Sequence, residues 1–359
     1  MLNFTLLMII PIAISIASLL FFKGKVTWFE FLGQVGIVAI FVAACLSVSY
    51  FSSTTDTEIW NGQITAKDHY RVACSHSYPC HCHMVSSGSG KSRTETEECD
   101  TCYRHPYDVD WEVKASTGES LDIDREDSQG LIEPKRWDAA YVGEPFSSSH
   151  EYANYILANP DSVLLGSKGD VEKYKNLLPP YPDHIYDYYR HDPVLNMGVP
   201  NVDLKTWDWL IREVNKVLGP QKQVNVVVLL VPTDNIDYMQ ALQEKWKGGK
   251  KNDVVVVIGS LDGHKIEWVG VLSWSPNGDF KADLKNQIED IGTLDRRDDI
   301  AASIRNVTAA KFQRMHMKDF KYLMRSFQPS ATAMWITFVL STLLSLGLAA
   351  WSIYNDITD

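Results

Sequence analysis

Three long stretches of the chain carry no charged side chain, and they constrain the fold more than any other feature of the sequence. They run from Phe4 to Phe22, from Phe31 to Phe51 and from Ala331 to Tyr354. At 1.5 Å of rise per residue, each stretch can cross the roughly 30 Å of hydrocarbon in a bilayer as one helix. A core helix of a soluble protein would carry a polar face at helical spacing. The sequence therefore predicts transmembrane helices at about residues 4–22, 31–51 and 331–354, with residues 1–51 forming a helical pair.

The charges near these helices give conflicting signals about which side of the membrane holds the rest of the chain. Lys23 and Lys25 lie in the short hairpin between the first two helices, whereas no basic residue precedes the first helix. Because basic loops stay in the cytoplasm, this pattern places the hairpin inside and the folded domain outside. Five basic residues just before the third helix favour the opposite arrangement: Lys311, Arg314, Lys318, Lys321 and Arg325.

We give the first helix more weight, since the five basic residues follow a long domain. They are expected in an amphipathic helix over residues 296–330, whose charges can meet lipid phosphates on either face. The sequence thus predicts an integral protein of a bacterial or host inner membrane, with an extracytoplasmic soluble domain. A net charge of −11 argues against nucleic acid as a partner. The expected partners are the lipid bilayer and another membrane protein.

Five of the six cysteines fall within 29 residues, which predicts a staple for a small β-rich unit over residues 52–160. Cys80-His-Cys82 and Cys99-Asp-Thr-Cys102 offer four thiols that two short turns can bring together. Four such thiolates can hold a structural Zn²⁺ ion in tetrahedral geometry, and its binding supplies folding energy to a small unit. Further candidate ligands are Cys74, His76, His81, His83 and His105, of which Cys74 and His105 complete the predicted set.

Disulfide bonds are the alternative staple, and an oxidising compartment would favour them. Five cysteines cannot all pair within one chain, so disulfides would leave one thiol over, whereas a metal site has no such parity constraint. Catalytic redox chemistry at Cys99 and Cys102 lacks the βαβ context of thioredoxin-like proteins. The choice between zinc and disulfides depends on the compartment, and the sequence leaves it open.

The residues around the cysteines predict β structure. Apolar residues alternate in 109–115 and in 120–125, on either side of a turn at 116–119, which indicates a hairpin. Acidic residues at the alternate strand positions could form a cation site, but most are expected to face solvent. They are Asp108, Asp110, Asp122, Asp124 and Asp127.

Two further segments follow the β-rich unit. Residues 161–202 are rich in Pro and Tyr and predict an ordered linker, in which aromatic residues pack between two domains. The alternative is that the linker lines a site, with His184, Tyr189, His191 and Asp192 as its residues. From residue 203 to 295, helical and β-branched stretches follow in the order α-β-α-β-β-α, which predicts an α/β sandwich with a mixed sheet. The fold class is therefore α+β, membrane-anchored, with three transmembrane helices, a small Cys-stapled β-rich unit and this sandwich.

Residues 200–295 resemble the TPM domain. The resemblance rests on the stretches Ala241-Leu-Gln-Glu-Lys-Trp246 and Asn252-Asp-Val-Val-Val-Val-Ile258. TPM domains occur in thylakoid photosystem-repair proteins and in bacterial membrane-anchored proteins, and some are described as acid phosphatases. The family tends to place acidic residues in loops after strands, and that likeness implies candidates for holding a divalent cation through carboxylate oxygens: Asp234, Asp237, Asp253 and Asp262. Separately, residues 55–165, with Tyr107-Asp-Val-Asp-Trp111, are similar to uncharacterised membrane proteins of tailed phages and bacteria.

These features favour a non-enzymatic function. The sequence contains no recognisable nucleophile motif, and most lysines near the acidic loops fit a solvated helix end. The prediction is a membrane-anchored structural or interaction protein of the cell envelope, with a phage gene as one possible origin, a zinc- or disulfide-stapled β unit and a TPM-like domain. The alternative is a metal-dependent, phosphatase-like hydrolase that uses the acidic loops of the TPM-like domain. A third hypothesis assigns zinc or redox chemistry to the Cys/His segment.

Overall fold

The computed structural model describes residues 2–22, 24–87, 94–157 and 170–355 of the chain. It has a mixed α+β fold that divides into two compact units. The first combines the two ends of the chain, up to Asp56 and from His316 onward, and the second contains most of the residues between them. The helices are α1 (Leu2–Phe21), α2 (Trp28–Thr54), α3 (Lys135–Ala139), α4 (Leu204–Lys222), α5 (Tyr238–Lys245), α6 (Gly278–Ile291), α7 (Arg297–Lys311) and α8 (Ala331–Asn355). The strands are β1 (Thr55–Val72), β2 (Ser77–Ser87), β3 (Thr94–Tyr103), β4 (Asp108–Ala115), β5 (Ser120–Ile123), β6 (Pro145–Ala153), β7 (Ile185–Tyr186), β8 (Arg190–His191), β9 (Val194–Asn196), β10 (Asn225–Val231), β11 (Asp253–Gly259) and β12 (Trp268–Leu272).

The first unit is a bundle of α1, α2 and α8, each long and apolar enough to cross a membrane. Their mutual contact is made by apolar side chains that include Leu7, Val38 and Val42. Polar groups add to it, since the Gln34 Nε2 atom on α2 donates a hydrogen bond to Ser352 Oγ on α8 at 3.0 Å. Such interhelical hydrogen bonds stabilise helix pairs where no water competes. The predicted positions of the three apolar helices are confirmed.

The first sheet of the second unit has the strand order β5-β4-β1-β6. The predicted hairpin is present, because β4 and β5 pair antiparallel around the turn at residues 116–119. Val109, Trp111 and Val113 alternate inward along β4 and pack in a small core with Ile64 and Phe146. The period-two pattern therefore identified the buried face of this strand correctly.

The second sheet has the order β12-β11-β10-β9, with β9, β10 and β11 parallel and β12 antiparallel. Every residue of β10 and of β11 is buried. Helices α4, α6 and α7 cover one face of this sheet, and α5 covers the other together with Tyr174 and Leu178. Strands covered on both faces read as continuous apolar runs, which is why the sandwich with a mixed sheet was predictable.

Two segments differ from their predictions. The helix expected over residues 296–330 is divided, since α7 ends at Lys311 and a separate 3-10 helix spans Met317–Ser326. The division follows from Phe312, which is only 2% exposed and packs against Phe280. The predicted linker is ordered from residue 170 to residue 202 as expected, and its first residues lie outside the described ranges. It differs in that its strand β9 belongs to the second sheet, whose domain was predicted to begin only at residue 203.

Helix α4 approaches β1 so closely that Gly219 has no room for a side chain. A Cβ atom placed there would lie 2.0 Å from the carbonyl oxygen of Asn61. We expect Gly219→Ala to lower the free energy of unfolding by about 2 kcal/mol, because the backbone of β1 must move. Thermal unfolding followed by circular dichroism would measure this loss. Gly278→Ala is the matched control, since its Cβ meets nothing within 4 Å, and an equal loss there would contradict the prediction.

Candidate metal centre

Strands β2 and β3 form an isolated two-stranded hairpin that leaves the first sheet between β1 and β4. The last residue of β1, Val72, pairs with the first residue of β4, Asp108, so the hairpin begins and ends at one point. No described residue of β2 or β3 is buried, and none belongs to a hydrophobic core cluster. A two-stranded hairpin without a core is at best marginally stable in water. This hairpin therefore needs another source of stability.

Two disulfide bonds supply it, Cys80–Cys102 and Cys82–Cys99. The predicted four-thiolate zinc site is accordingly corrected: these four cysteines bond to one another across the hairpin, and disulfide sulfurs are not thiolate ligands. The reason is the strand register, which shifts by one residue between Cys80 and His83. The bulge includes His81 at a φ of 49°, so Cys80 and Cys82 each face a separate partner on β3. The alternative of disulfides with one thiol left over is what the structure has.

The thiol left over in this segment is Cys74, and it lies at the base of the hairpin among other candidate ligands. The Cys74 Sγ atom is 3.6 Å from His105 Nδ1, and His105 Nδ1 is 3.2 Å from Asp108 Oδ1. One donor atom from each of Cys74, His76, His105 and Asp108 lies within 4.8 Å of the other three. Two of these residues, Cys74 and His105, belong to the predicted ligand set, and the structure brings them together.

All four residues come from the junctions where the hairpin joins the sheet. Cys74 follows the end of β1, His76 directly precedes β2, His105 follows β3, and Asp108 opens β4. The side chain of Cys74 is only 6% exposed and that of Asp108 is fully buried. An ion held by all four would thus tie the entry and exit of the hairpin to each other and to the sheet.

Asp108 is held ready in its charged form. Its Oδ2 atom accepts hydrogen bonds from Ser75 N at 2.9 Å and from Arg125 Nη1 at 2.8 Å. These donors, first the Ser75 amide and then the Arg125 guanidinium, hold the pKa of Asp108 well below its usual range. Oδ1 stays directed at His105, so one oxygen is fixed by the protein while the other faces the cluster. Such fixed carboxylates are typical of metal sites whose ligands are oriented by neighbouring groups.

The arrangement is suited to binding an ion and does not form a catalytic relay. In a nucleophile–base–acid triad the histidine uses its two ring nitrogens for different partners. Here the Cys74 thiol and the Asp108 carboxylate both approach Nδ1 of His105. The four donor atoms lie within 4.8 Å of one another. A thiolate, two imidazoles and a carboxylate are ligands that Zn²⁺ accepts in tetrahedral sites. The cluster could therefore hold a metal ion.

The other two candidate ligand groups in the described part of the chain each contain a disulfide. They are Cys80 with His81 and Cys102, and Cys82 with Glu97 and Cys99. Without free thiolates, each is left with a single exposed side chain as a ligand.

The acidic residues predicted in the loops of the second sheet lie elsewhere, and three of the four are exposed. Asp253 is instead buried as the first residue of β11, where the Tyr181 hydroxyl donates a hydrogen bond to its Oδ1 atom at 3.0 Å. Asp234 and Asp237 lie between β10 and α5, and Asp262 follows β11. The Oδ1 atom of Asp262 accepts the backbone N–H groups of His264 and Lys265, both at 2.8 Å, which stabilises the turn. None of these aspartates belongs to the ligand groups found among the described residues.

The residues singled out in the predicted linker divide between a cleft and the core. His184, His191 and Asp192 line a cleft of about 560 Å³, together with Asp208 of α4. Burial, and then the neighbouring Asp192 carboxylate, raise the pKa of Asp208 to about 6. Tyr189 lies instead in the core of the first sheet, where its hydroxyl donates to Glu144 at 2.9 Å.

Sequence reasoning considered Asp108 only with the other aspartates of the β hairpin, favoured a solvent-facing side chain, and did not group it with Cys74 and His105. Asp108 alternates with the inward-facing Val109 and Trp111, a pattern that predicts a solvent-facing side chain. The structure buries it because Ser75 and Arg125 close over that face. The available signal was its position three residues after His105, next to the segment that contains Cys74.

Comparison of the chain with protein-family models, with curated proteins and with solved structures found no match. The likeness to TPM domains and to phage membrane proteins stays a prediction. What the cluster can bind is therefore argued from its own donor atoms and their surroundings.

Proposed function

We propose that the chain is a membrane-anchored interaction protein of the cell envelope, in which the β2–β3 hairpin is the binding arm. The observation that carries this proposal is the pair of disulfides in a hairpin without a core. Covalent cross-links maintain a structure whose two faces stay open to solvent. A segment stabilised in this way keeps its surface available for contact with another molecule.

The surface of the arm suits a protein partner with a basic patch. Large side chains are exposed along it, with Tyr78 at 45%, Met84 at 61% and Tyr103 at 57%. Strand β3 carries Glu and Asp at four of its ten positions. Aromatic and Met side chains supply contact area in protein interfaces, and complementary charge speeds the encounter of partners. We therefore infer a partner that presents basic side chains around an apolar centre.

The disulfides also support an extracytoplasmic position for the folded domain. Such bonds persist in oxidising compartments and are rare in the cytosol. Lys23 and Lys25 favour the same side, since basic loops tend to stay in the cytoplasm. With α1, α2 and α8 as anchors, the domain would face the periplasm or the outside of an inner membrane.

We further propose that Cys74, His76, His105 and Asp108 hold a structural Zn²⁺ ion. Four protein ligands would leave no open position for substrate, which distinguishes structural from catalytic zinc sites. The ion would fix the angle of the arm relative to the first sheet. This site at the base of the hairpin would have the stabilising function that the sequence analysis assigned to a four-thiolate zinc site.

Photo-crosslinking in intact cells tests the arm directly. A photoreactive amino acid at Met84 is expected to give an adduct of defined mass, because this side chain projects from the arm. Tyr141, which is 57% exposed and lies outside the hairpin, is the matched control position. The adduct should disappear when the four hairpin cysteines are replaced by serine. Equal labelling from both positions, or an adduct that survives this replacement, would contradict the proposal.

A further inference from the structure

The segment between the folded domain and α8 carries an unusual arrangement of charge. The 3-10 helix Met317–Ser326 contains Lys318, Lys321 and Arg325 and a single acidic residue, although the chain as a whole has a net charge of −11. A 3-10 helix has three residues per turn, so residues three apart lie in one row. Lys318 and Lys321 therefore share a row, and both side chains are exposed.

The neighbouring row of this helix is apolar. It contains Met317, Phe320 and Leu323, of which Met317 is only 8% exposed and the other two are half-buried. One side of the segment thus packs on protein while the basic row stays free. Within the described residues, neither Lys318 nor Lys321 has an ion-pair partner.

The other two basic residues of this region are already used by the folded domain. Lys311 forms an ion pair with Asp283, and Arg314 forms one with the buried carboxylate of Glu58. Of the five basic residues that precede α8, these two are therefore neutralised within the second unit. The remaining positive charge is concentrated in the 3-10 helix, next to the apolar bundle.

A groove of about 370 Å³ lies in the same unit, at the end of the bundle where α2 ends and α8 begins. Its walls are mainly aromatic and apolar, with Tyr50 and Phe327 packed edge to face at a centroid distance of 5.5 Å. Two of its lining residues, Asn3 and Ser47, are polar. The lining residues are Asn3, Phe4, Leu46, Ser47, Tyr50, Phe51, Phe327 and Pro329.

We propose that this groove and the basic row form a binding site for one anionic phospholipid. The groove would take an acyl chain, and Lys318 and Lys321 would hold the headgroup phosphate. Only two residues separate the end of the 3-10 helix from the groove residue Pro329, so the two parts are adjacent along the chain. This inference rests on the proposed membrane anchoring. An anionic lipid matches both features, because its acyl chain suits an apolar groove at the end of a membrane bundle and its phosphate suits lysines that have no ion-pair partner among the described residues.

Native mass spectrometry of the full chain tests the site, with phosphatidylglycerol and phosphatidylcholine as the two probes. We expect the wild-type chain to retain phosphatidylglycerol, and K318E/K321E to bind it about 30-fold more weakly, since each lysine near an anionic surface contributes attraction. The charge-matched control K205E/K222E, on α4, should keep the preference. Equal loss in both double variants would overturn the proposal, because it would reduce the effect to net charge.

The groove is tested separately. Ser47→Trp should fill it and displace the bound lipid although both lysines remain, whereas Val48→Trp, on the exposed neighbouring position, should not. Retention of lipid by S47W would overturn the site. A chain that stays in membranes after alkaline carbonate washing but binds both lipids equally would overturn the lipid site alone. A chain released by that washing would overturn the anchoring as well.

Discussion

Replacement of Cys80, Cys82, Cys99 and Cys102 by serine is expected to unfold the β2–β3 hairpin while the two sheets of the second unit stay folded. The disulfides close loops with sequence separations of 22 and 17 residues. Closing a loop of about 15 residues contributes about 3 kcal/mol, mainly by restricting the unfolded chain. The hairpin buries no apolar core that could offset the loss of this contribution.

Hydrogen exchange followed by mass spectrometry would measure the effect. Amides of Ser77–Ser87 and Thr94–Tyr103 should exchange about 100-fold faster, since 1.4 kcal/mol corresponds to a factor of ten and the loss is about 3 kcal/mol. Amides of β10 and β11, in the buried sheet, should be unchanged. Cys45→Ser is the matched control, because Cys45 lies in α2 and forms no disulfide.

The state of the cysteines in cells is tested in the same samples. With both disulfides formed, a thiol-reactive maleimide should modify Cys45 and Cys74 in the denatured chain and none of the other four. A zinc site built from the four hairpin thiolates would make all six cysteines reactive under those conditions. That outcome would contradict both the staple described here and the extracytoplasmic position inferred from it.

The sequence predicts best those parts of the fold that consist of long runs of apolar residues. The three apolar helices follow from charge-free stretches, and β10 and β11 follow from continuous β-branched residues such as Val226–Val228 and Val254–Val257. An element that is buried on all sides contains almost only apolar side chains, so its local sequence is enough to predict it. The exposed hairpin has no such constraint.

The choice between zinc and disulfides could not be made from the sequence, because four neighbouring thiols serve both chemistries. It depends on the redox state of the compartment, and also on the register of β2 and β3 and the bulge at His81, which the local sequence does not reveal. The proximity of Cys74 and Asp108 could not be predicted from the sequence for a related reason. Asp108 is buried by Arg125 and Ser75, which are 17 residues after it and 33 residues before it.

Addition of Zn²⁺ to the oxidised protein is expected to stabilise the base of the hairpin through one ion per chain. At a free concentration about 1,000-fold above the dissociation constant, an ion bound only by the folded state adds about 4.1 kcal/mol to the free energy of unfolding. The gain should appear as a higher midpoint of thermal unfolding and as slower exchange at residues 74–76 and 105–108. Removal of the ion by a chelator should reverse both changes.

Variants of the cluster decide whether the site is the one described here. Cys74→Ser and His105→Ala should each lose the stoichiometric ion, whereas His83→Ala, an exposed histidine of the same hairpin outside the cluster, should keep it. Co²⁺ in place of Zn²⁺ should show a sulfur-to-metal charge-transfer band with the intensity of a single thiolate, and this band should vanish in Cys74→Ser. Binding that needs a reductant would show that the ion uses the hairpin cysteines, which are in disulfides. Binding that survives Cys74→Ser would show that Cys74 is not a ligand, and either result would contradict the proposed site.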